Sequence, residues 1–171
     1  FFGGTIRTTL SFQITNKLTG AFRYARIPII NGPFDGYVWD RSFDIHYLAN
    51  IENRVVPSIA IGVRDFIGTG LYSGEYIVAS KSIGERLKIS GGLGWGRLAG
   101  QNGFNNILGR TDRGYRDVGF GGTVIADKFF SGNNAPFFSL SYKVNEKLQI
   151  ISELSSDLYY HETSNSKGFT R

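Results

Sequence analysis

Ile6-Arg7-Thr8-Thr9-Leu10-Ser11-Phe12-Gln13-Ile14-Thr15 alternates by twos. Ile6, Leu10, Phe12 and Ile14 share one side with Thr8, and Arg7, Thr9, Ser11, Gln13 and Thr15 share the other. A period of two is that of a β-strand with one apolar and one polar face. Asn16-Lys17 supplies a tight turn, and residues 18 to 27 return with Phe22 and Tyr24 opposed by Arg23 and small alanines, which predicts a hairpin.

The pattern recurs along the chain. Beyond a loop carrying Pro28, Gly32, Pro33 and Gly36, residues 42 to 50 alternate Phe43, Ile45 and Tyr47 with Ser42, Asp44 and His46. Ile59, Ile61 and Val63 then alternate with Ser58, Ala60, Gly62 and Arg64. After Gly68-Thr69-Gly70, Tyr76, Val78 and Ser80 oppose Glu75, Ile77, Ala79 and Lys81. A hairpin closing near residue 70 predicts Arg64 opposite Glu75 on the polar side, and Ile59, Ile61, Val63, Tyr76 and Val78 together on the apolar side. A sixth strand sets Leu87, Ile89, Leu93 and Trp95 against Lys88, Ser90, Gly92, Gly94 and Gly96. Residues 97 to 122 lack periodicity and read as a long loop or lid within a single domain spanning 1 to 171. A short strand at 123 to 130, a turn at Gly132-Asn133-Asn134, a strand through Phe138, Leu140 and Tyr142, the turn Asn145-Glu146, and a strand through Leu148, Ile150 and Leu154 complete about eight or nine strands.

The class is therefore all-β and antiparallel, either a β-sandwich or a transmembrane β-barrel. Polar faces rich in Arg, Lys, Glu, Ser, Thr and Gly suit a wet lumen, and aromatics near strand ends suit interfacial girdles. Glycine takes 23 of 171 positions and aromatics 15%, a strand-favouring balance. No run of about eighteen apolar residues exists, which excludes a membrane-spanning helix and leaves a barrel open. The absence of cysteine removes disulfides, thiolate metal sites and cysteine nucleophiles. The net charge of +5 is dispersed in pairs such as Asp40-Arg41, Arg64-Asp65 and Arg116-Asp117, so no basic stripe for nucleic acid forms. Without an initiator methionine or a secretion-signal pattern at Phe1-Phe2-Gly3-Gly4, the chain reads as processed or truncated.

Catalytic patterns fail on context. Gly94-Trp95-Gly96-Arg97-Leu98-Ala99 satisfies a loose dinucleotide fingerprint, but Gly100-Gln101-Asn102-Gly103 follows where a helix should begin. Gly70-Leu71-Tyr72-Ser73-Gly74 misses the nucleophile elbow by one position. His46 and His161 have no metal-pair spacing, and His46, near Asp44, reads as a lumenal hydrogen-bond partner. The expectation is a protein without enzymatic activity, cofactor or metal.

Several ordered runs are more specific than periodicity: Trp39-Asp40-Arg41-Ser42-Phe43-Asp44, Gly62-Val63-Arg64-Asp65 leading into Gly68-Thr69-Gly70-Leu71, Tyr76-Ile77-Val78-Ala79-Ser80-Lys81, and Gly92-Leu93-Gly94-Trp95-Gly96-Arg97-Leu98. With Ala135-Pro136-Phe137 and Glu153-Leu154-Ser155-Ser156-Asp157, they resemble the YjbH-type exopolysaccharide proteins of the Gram-negative outer membrane. The resemblance implies an outer-membrane β-barrel that helps an exopolysaccharide or capsule polymer cross the bacterial outer membrane. It also implies that this chain is an N-terminal portion of a larger barrel protein. Implied partners are outer-membrane lipids, the polymer and periplasmic export proteins, with no nucleic acid. The alternative is an autonomous small barrel or soluble β-sandwich acting as a binding or structural module.

Arg41, Asp44, Arg64, Glu75, Lys81, Lys88 and Arg97 are the lumen-lining, polysaccharide-facing candidates. Arg41, Asp44, Arg64 and Glu75 are expected to form a charge ladder, because a lumenal charge needs a partner before a ligand. Gly92, Gly94 and Gly96 form a bare face for close packing of a plug or lid, with a sugar path or mere strand curvature as the alternatives. Trp95, Tyr72 and Tyr76 are expected at the lipid interface, with stacking on sugar rings as the alternative.

Overall fold

A computed structural model describes residues 6–29, 36–70, 72–113, 124, 126–157 and 159. Eight strands form one antiparallel sheet in chain order: β1 Ile6–Thr15, β2 Leu18–Ile29, β3 Gly36–Asn50, β4 Ser58–Arg64, β5 Gly74–Ile83, β6 Leu87–Trp95, β7 Asn134–Asn145 and β8 Leu148–Leu154. There is no α-helix among the described residues, only 3-10 turns at Gly96–Ala99 and Ala126–Lys128. The sheet is a meander in which β1 and β8 each pair with one neighbour among the described residues, and a two-sheet sandwich does not form.

β3 starts well before the expected residue 42, because the β2–β3 register continues to Ile29↔Gly36. The strand expected at 123 to 130 is instead a 3-10 turn in its described part, followed by left-handed residues Phe130 (φ 54°) and Gly132 (φ 74°). Residues 114 to 123, which include Arg116 and Asp117, and His161 lie outside the described residues.

The hairpin of β4 and β5 forms in a register one residue from the expected one. Glu75 pairs with Val63, Tyr76 with Gly62 and Arg64 with Gly74. Tyr76 and Val78 therefore share the face of Arg64, while Ile77 joins Ile61 and Ile59. The period was right and the phase of β5 was not, since Ile77 and Ala79 are as apolar as Tyr76 and Val78.

The sheet is strongly curled. Arg7 of β1, Arg23 of β2 and Arg97 just past β6 place their guanidinium carbons 4.7, 4.9 and 5.0 Å from the centroid of the Tyr72 ring. Across a flat sheet β1 and β6 would be about 24 Å apart, five spacings of roughly 4.8 Å. The face carrying these arginines is therefore concave. On the opposite, convex face large apolar side chains stand open on strand after strand: Leu10 is 64% exposed, Trp39 52%, Phe138 55% and Leu154 61%. The fully buried groups are few and largely polar: Asp40, Ser42, Asp65, Glu75 and Asn134 accompany Trp95, Tyr72 and Ala25.

Candidate functional site: the concave groove

A cavity of about 400 Å³ opens on the concave face, with His46 of β3 on one side and Glu153 of β8 on the other. Its floor is built from glycine and aromatic pairs. A Cβ on Gly62 would lie 2.1 Å from Cζ of Tyr76, and one on Gly92 would lie 2.5 Å from Cζ of Phe137. One on Gly94 would lie 2.5 Å from Cβ of Leu98. Each missing side chain thus seats a neighbour flat against the sheet, the use that glycine has inside a strand. Tyr76 and Phe137 meet edge to face at 6.4 Å. His46 Nδ1 lies 2.9 Å from the Tyr76 hydroxyl, which fixes the ring across β4. His46 thus has a hydrogen-bond partner on the concave face, Tyr76 instead of Asp44.

The charged candidates divide between the two faces. Asp44, Arg64, Lys88 and Arg97 stand on the concave side. Arg97 Nε donates to Asp157 Oδ2 at 2.6 Å, and its guanidinium also covers Tyr72 and Tyr159. Asp44 lies 3.6 Å from Arg23 and accepts the Asp65 amide at 2.9 Å. Arg64 lies 5.9 Å from the Tyr76 ring.

Arg41, Glu75 and Lys81 stand on the convex side, so the expected ladder of Arg41, Asp44, Arg64 and Glu75 does not form. Glu75 is fully buried and its partner is Arg113, which donates to both carboxylate oxygens at 2.7 and 2.9 Å. Lys81 lies 3.4 Å from Glu52. No spacing argument could have found Arg113, because its neighbours in sequence carry no periodicity and it returns across 38 positions. Gly96, the third glycine of the bare face, has φ 62° and leaves the strand, where Arg113 and the Ser73 carbonyl approach it.

Of the three aromatics expected at a lipid interface, Trp95 and Tyr72 are buried and Tyr76 lines the cavity. Trp95 is buried on the convex side beneath the loop, where its indole N–H donates to Asn106 and its ring meets Phe130 at 5.2 Å. Tyr72 is folded under the three arginines, and Tyr76 lies in the groove. Exposed rings at a strand end are instead those of Tyr37 and Trp39, the latter stacked on Tyr24 at 5.1 Å. The long loop divides as well. Leu98 packs on the concave side, and residues around 106 to 113 pack with 129 to 133 over Glu75 and Trp95 on the convex side. Among the described residues no group of three or more His, Asp or Glu could hold a metal ion.

The family described as exopolysaccharide biosynthesis protein YbjH matches residues 2–171. The chain is 32% identical over 125 residues to the uncharacterized lipoprotein YjbH of Escherichia coli strain K12, a match covering 71% of this chain and 18% of that protein. The chain thus spans a minor part of the length of the curated relative it matches. No solved structure matches. With residues 2–171 matched, the chain belongs to the YjbH exopolysaccharide biosynthesis family.

Proposed function

We propose that this chain is part of an outer-membrane β-barrel that assists export or assembly of an exopolysaccharide or capsule polymer across the bacterial outer membrane, without catalysing a reaction on it. One observation carries the reading. The convex face exposes Leu10, Phe12, Phe43, Leu140 and Ile150 along strands mostly long enough to span a bilayer, whereas the concave face is polar and glycine-paved. Apolar-out and polar-in is the arrangement of a barrel in lipid, where strands of about 9–11 residues cross. Six of the eight strands have 9 to 15 residues, and β4 and β8 have seven each. Membership of the exopolysaccharide family supplies the polymer, and the relative's description as a lipoprotein supports membrane association.

In this reading the groove does no chemistry. Tyr76 and Phe137 offer flat apolar faces, Arg64 and Glu153 offer polar heads, and a chain of sugars slides past many weak contacts. Outer-membrane lipids cover the convex face, and periplasmic export proteins deliver the polymer. The test is a deletion strain of the full gene. Surface exopolysaccharide should fall while glycosyl-transfer and hydrolytic activities in extracts stay level, and the protein should fractionate with outer membranes. His46→Ala should leave secretion nearly intact. Purified protein that cleaves polysaccharide, with the activity lost in His46→Ala, would overturn the reading.

A further inference from the structure

The two ends of the sheet differ in how the strands connect. At one end lie the connections at 16–17, 51–57, 84–86 and 146–147, none longer than seven residues, and at the other those at 30–35, 65–73 and 96–133, the last two being the longest of the sheet. Just inside the first of these ends, on the concave side, is a recess of about 290 Å³ lined by Arg86, Lys88, Lys143, Ser82, Ser141 and Gln149. Lys88 pairs across the ladders with Ser82 and Ser141, and Lys143 with Gln149, which fixes their side chains on the face opposite the apolar band. Of its lining groups only Glu85 is acidic. Lys143 is 2.9 Å from Glu146, whose side chain is 89% exposed, so water screens that pair. Arg86 and Lys88 have no carboxylate within ion-pair distance among the described residues.

We propose that this basic recess is the entry subsite for an acidic glycan, one bearing carboxylate or similar anionic groups; this rests on the exopolysaccharide reading above. Unpaired cations at the mouth of a cleft with low-dielectric walls raise the local concentration of anions. Arg86 can grip a carboxylate with two parallel N–H donors. Ser82 Oγ, which donates to Glu52, and Ser141 Oγ, which accepts from Gln149, each keep an oxygen lone pair for a sugar hydroxyl. A lipid headgroup fits less well, because the recess opens on the side away from the apolar band. In outer-membrane barrels short turns face the periplasm, so the subsite would meet the polymer before the aromatic groove does.

The experiment uses the intact protein in detergent with polygalacturonate and neutral dextran as probes. Polygalacturonate should bind and dextran should not at about 0.1 M salt, and binding should vanish near 1 M as the screening length shrinks from about 10 to about 3 Å. The double variant R86E/K88E should lose affinity by roughly tenfold or more. Both side chains are exposed, so the fold should survive, and the milder R86Q/K88Q pair should fall between. Equal dextran binding, or unchanged affinity in R86E/K88E, would overturn the proposal, as would full displacement of the polymer by phosphatidylglycerol nanodiscs. If deletion abolishes surface polymer but R86E/K88E binds and exports normally, only the entry subsite fails. If deletion leaves the polymer untouched, the export reading fails with it.

Discussion

The long-loop end and the tight-turn end of the sheet solve opposite problems. At the loop end Glu75, Asp40, Asp65 and Asn134 are fully buried, and charged partners are recruited from afar, Arg113 for Glu75 and Asp157 for Arg97. At the turn end most of the polar contacts are local and open to water. Thr15 Oγ1 accepts the amides of Lys17 and Leu18, Asn145 Oδ1 accepts those of Lys147 and Leu148, and Lys143 meets Glu146 three residues on. A charge removed from water requires a partner wherever the chain can bring one, while a charge left in water needs none. One end is thus cross-linked across the fold, and the other is free to present its cations.

The largest expected effect tests that contrast directly. Glu75→Ala leaves the Arg113 guanidinium, only 17% exposed, without its two carboxylate contacts, and should lower stability by about 3–5 kcal/mol. Lys143→Ala at the turn end removes an exposed pair and should cost about 0.2–1 kcal/mol. Urea unfolding of the detergent-solubilised protein measures both. Comparable losses from the two variants would erase the distinction between the ends.

Next in size is a charge on the convex band. Leu140 is 41% exposed at the middle of β7. If that face meets lipid, Leu140→Arg should cost about 2–4 kcal/mol near the bilayer midplane. If it meets water, the same change at an exposed site should stay within about 0.5 kcal/mol. Refolding into vesicles distinguishes the two, and the smaller value would sink the membrane assignment.

Gly92 tests the concave floor between the ends. A methyl there would sit 2.3 Å from the Ile77 carbonyl and 2.5 Å from the Phe137 ring, and a ladder carbonyl cannot step aside as a flexible side chain can. Gly92→Ala should destabilise by about 1–3 kcal/mol through overpacking. At Gly84, where φ is 62° and nothing lies within 4 Å of the added methyl, the same substitution carries backbone strain alone. A Gly92→Ala protein as stable as the parent would mean the floor is loose.

What could be read in the sequence follows the same division. Strand order, the turn at 16–17, and the alternation of β1, β3 and β6 depend on residues close in the chain, and those expectations match the register, while the turn expected at Asn145-Glu146 falls one residue later, at 146–147. β5 failed in phase because Tyr76-Ile77-Val78-Ala79 is apolar at every position, leaving the glycine at 62 as the one clue that a ring would lie across β4. The placement of Trp95 and Tyr72 was unreadable for a different reason. Aromatic residues near strand ends suit a lipid interface and a loop-covered pocket equally well. Only the distant contacts with Asn106 and the arginines decide between them.

The smallest effect belongs to the turn end and to acid. Glu52, in the connection between β3 and β4, accepts the Ser82 amide at 2.8 Å and the Ser82 hydroxyl at 3.1 Å, with Lys81 at 3.4 Å. The backbone hydrogen bond from Ser82 is the chief cause that holds its carboxyl below the ordinary value of 4.5. A lowered pKa in the folded state means the unfolded chain takes up the proton first as pH falls. The tether's contribution is therefore complete above 4.5 and disappears as pH drops through the lowered pKa of the folded protein. Hydrogen exchange at the Ser82 amide, corrected for intrinsic rates, should show protection that is level at neutral pH and declines only in acid. Glu52→Gln should flatten that decline, because the amide oxygen accepts the same bond without titrating. A decline that persists unchanged in Glu52→Gln would assign the acid sensitivity to another group and leave this connection out of the contrast between the two ends.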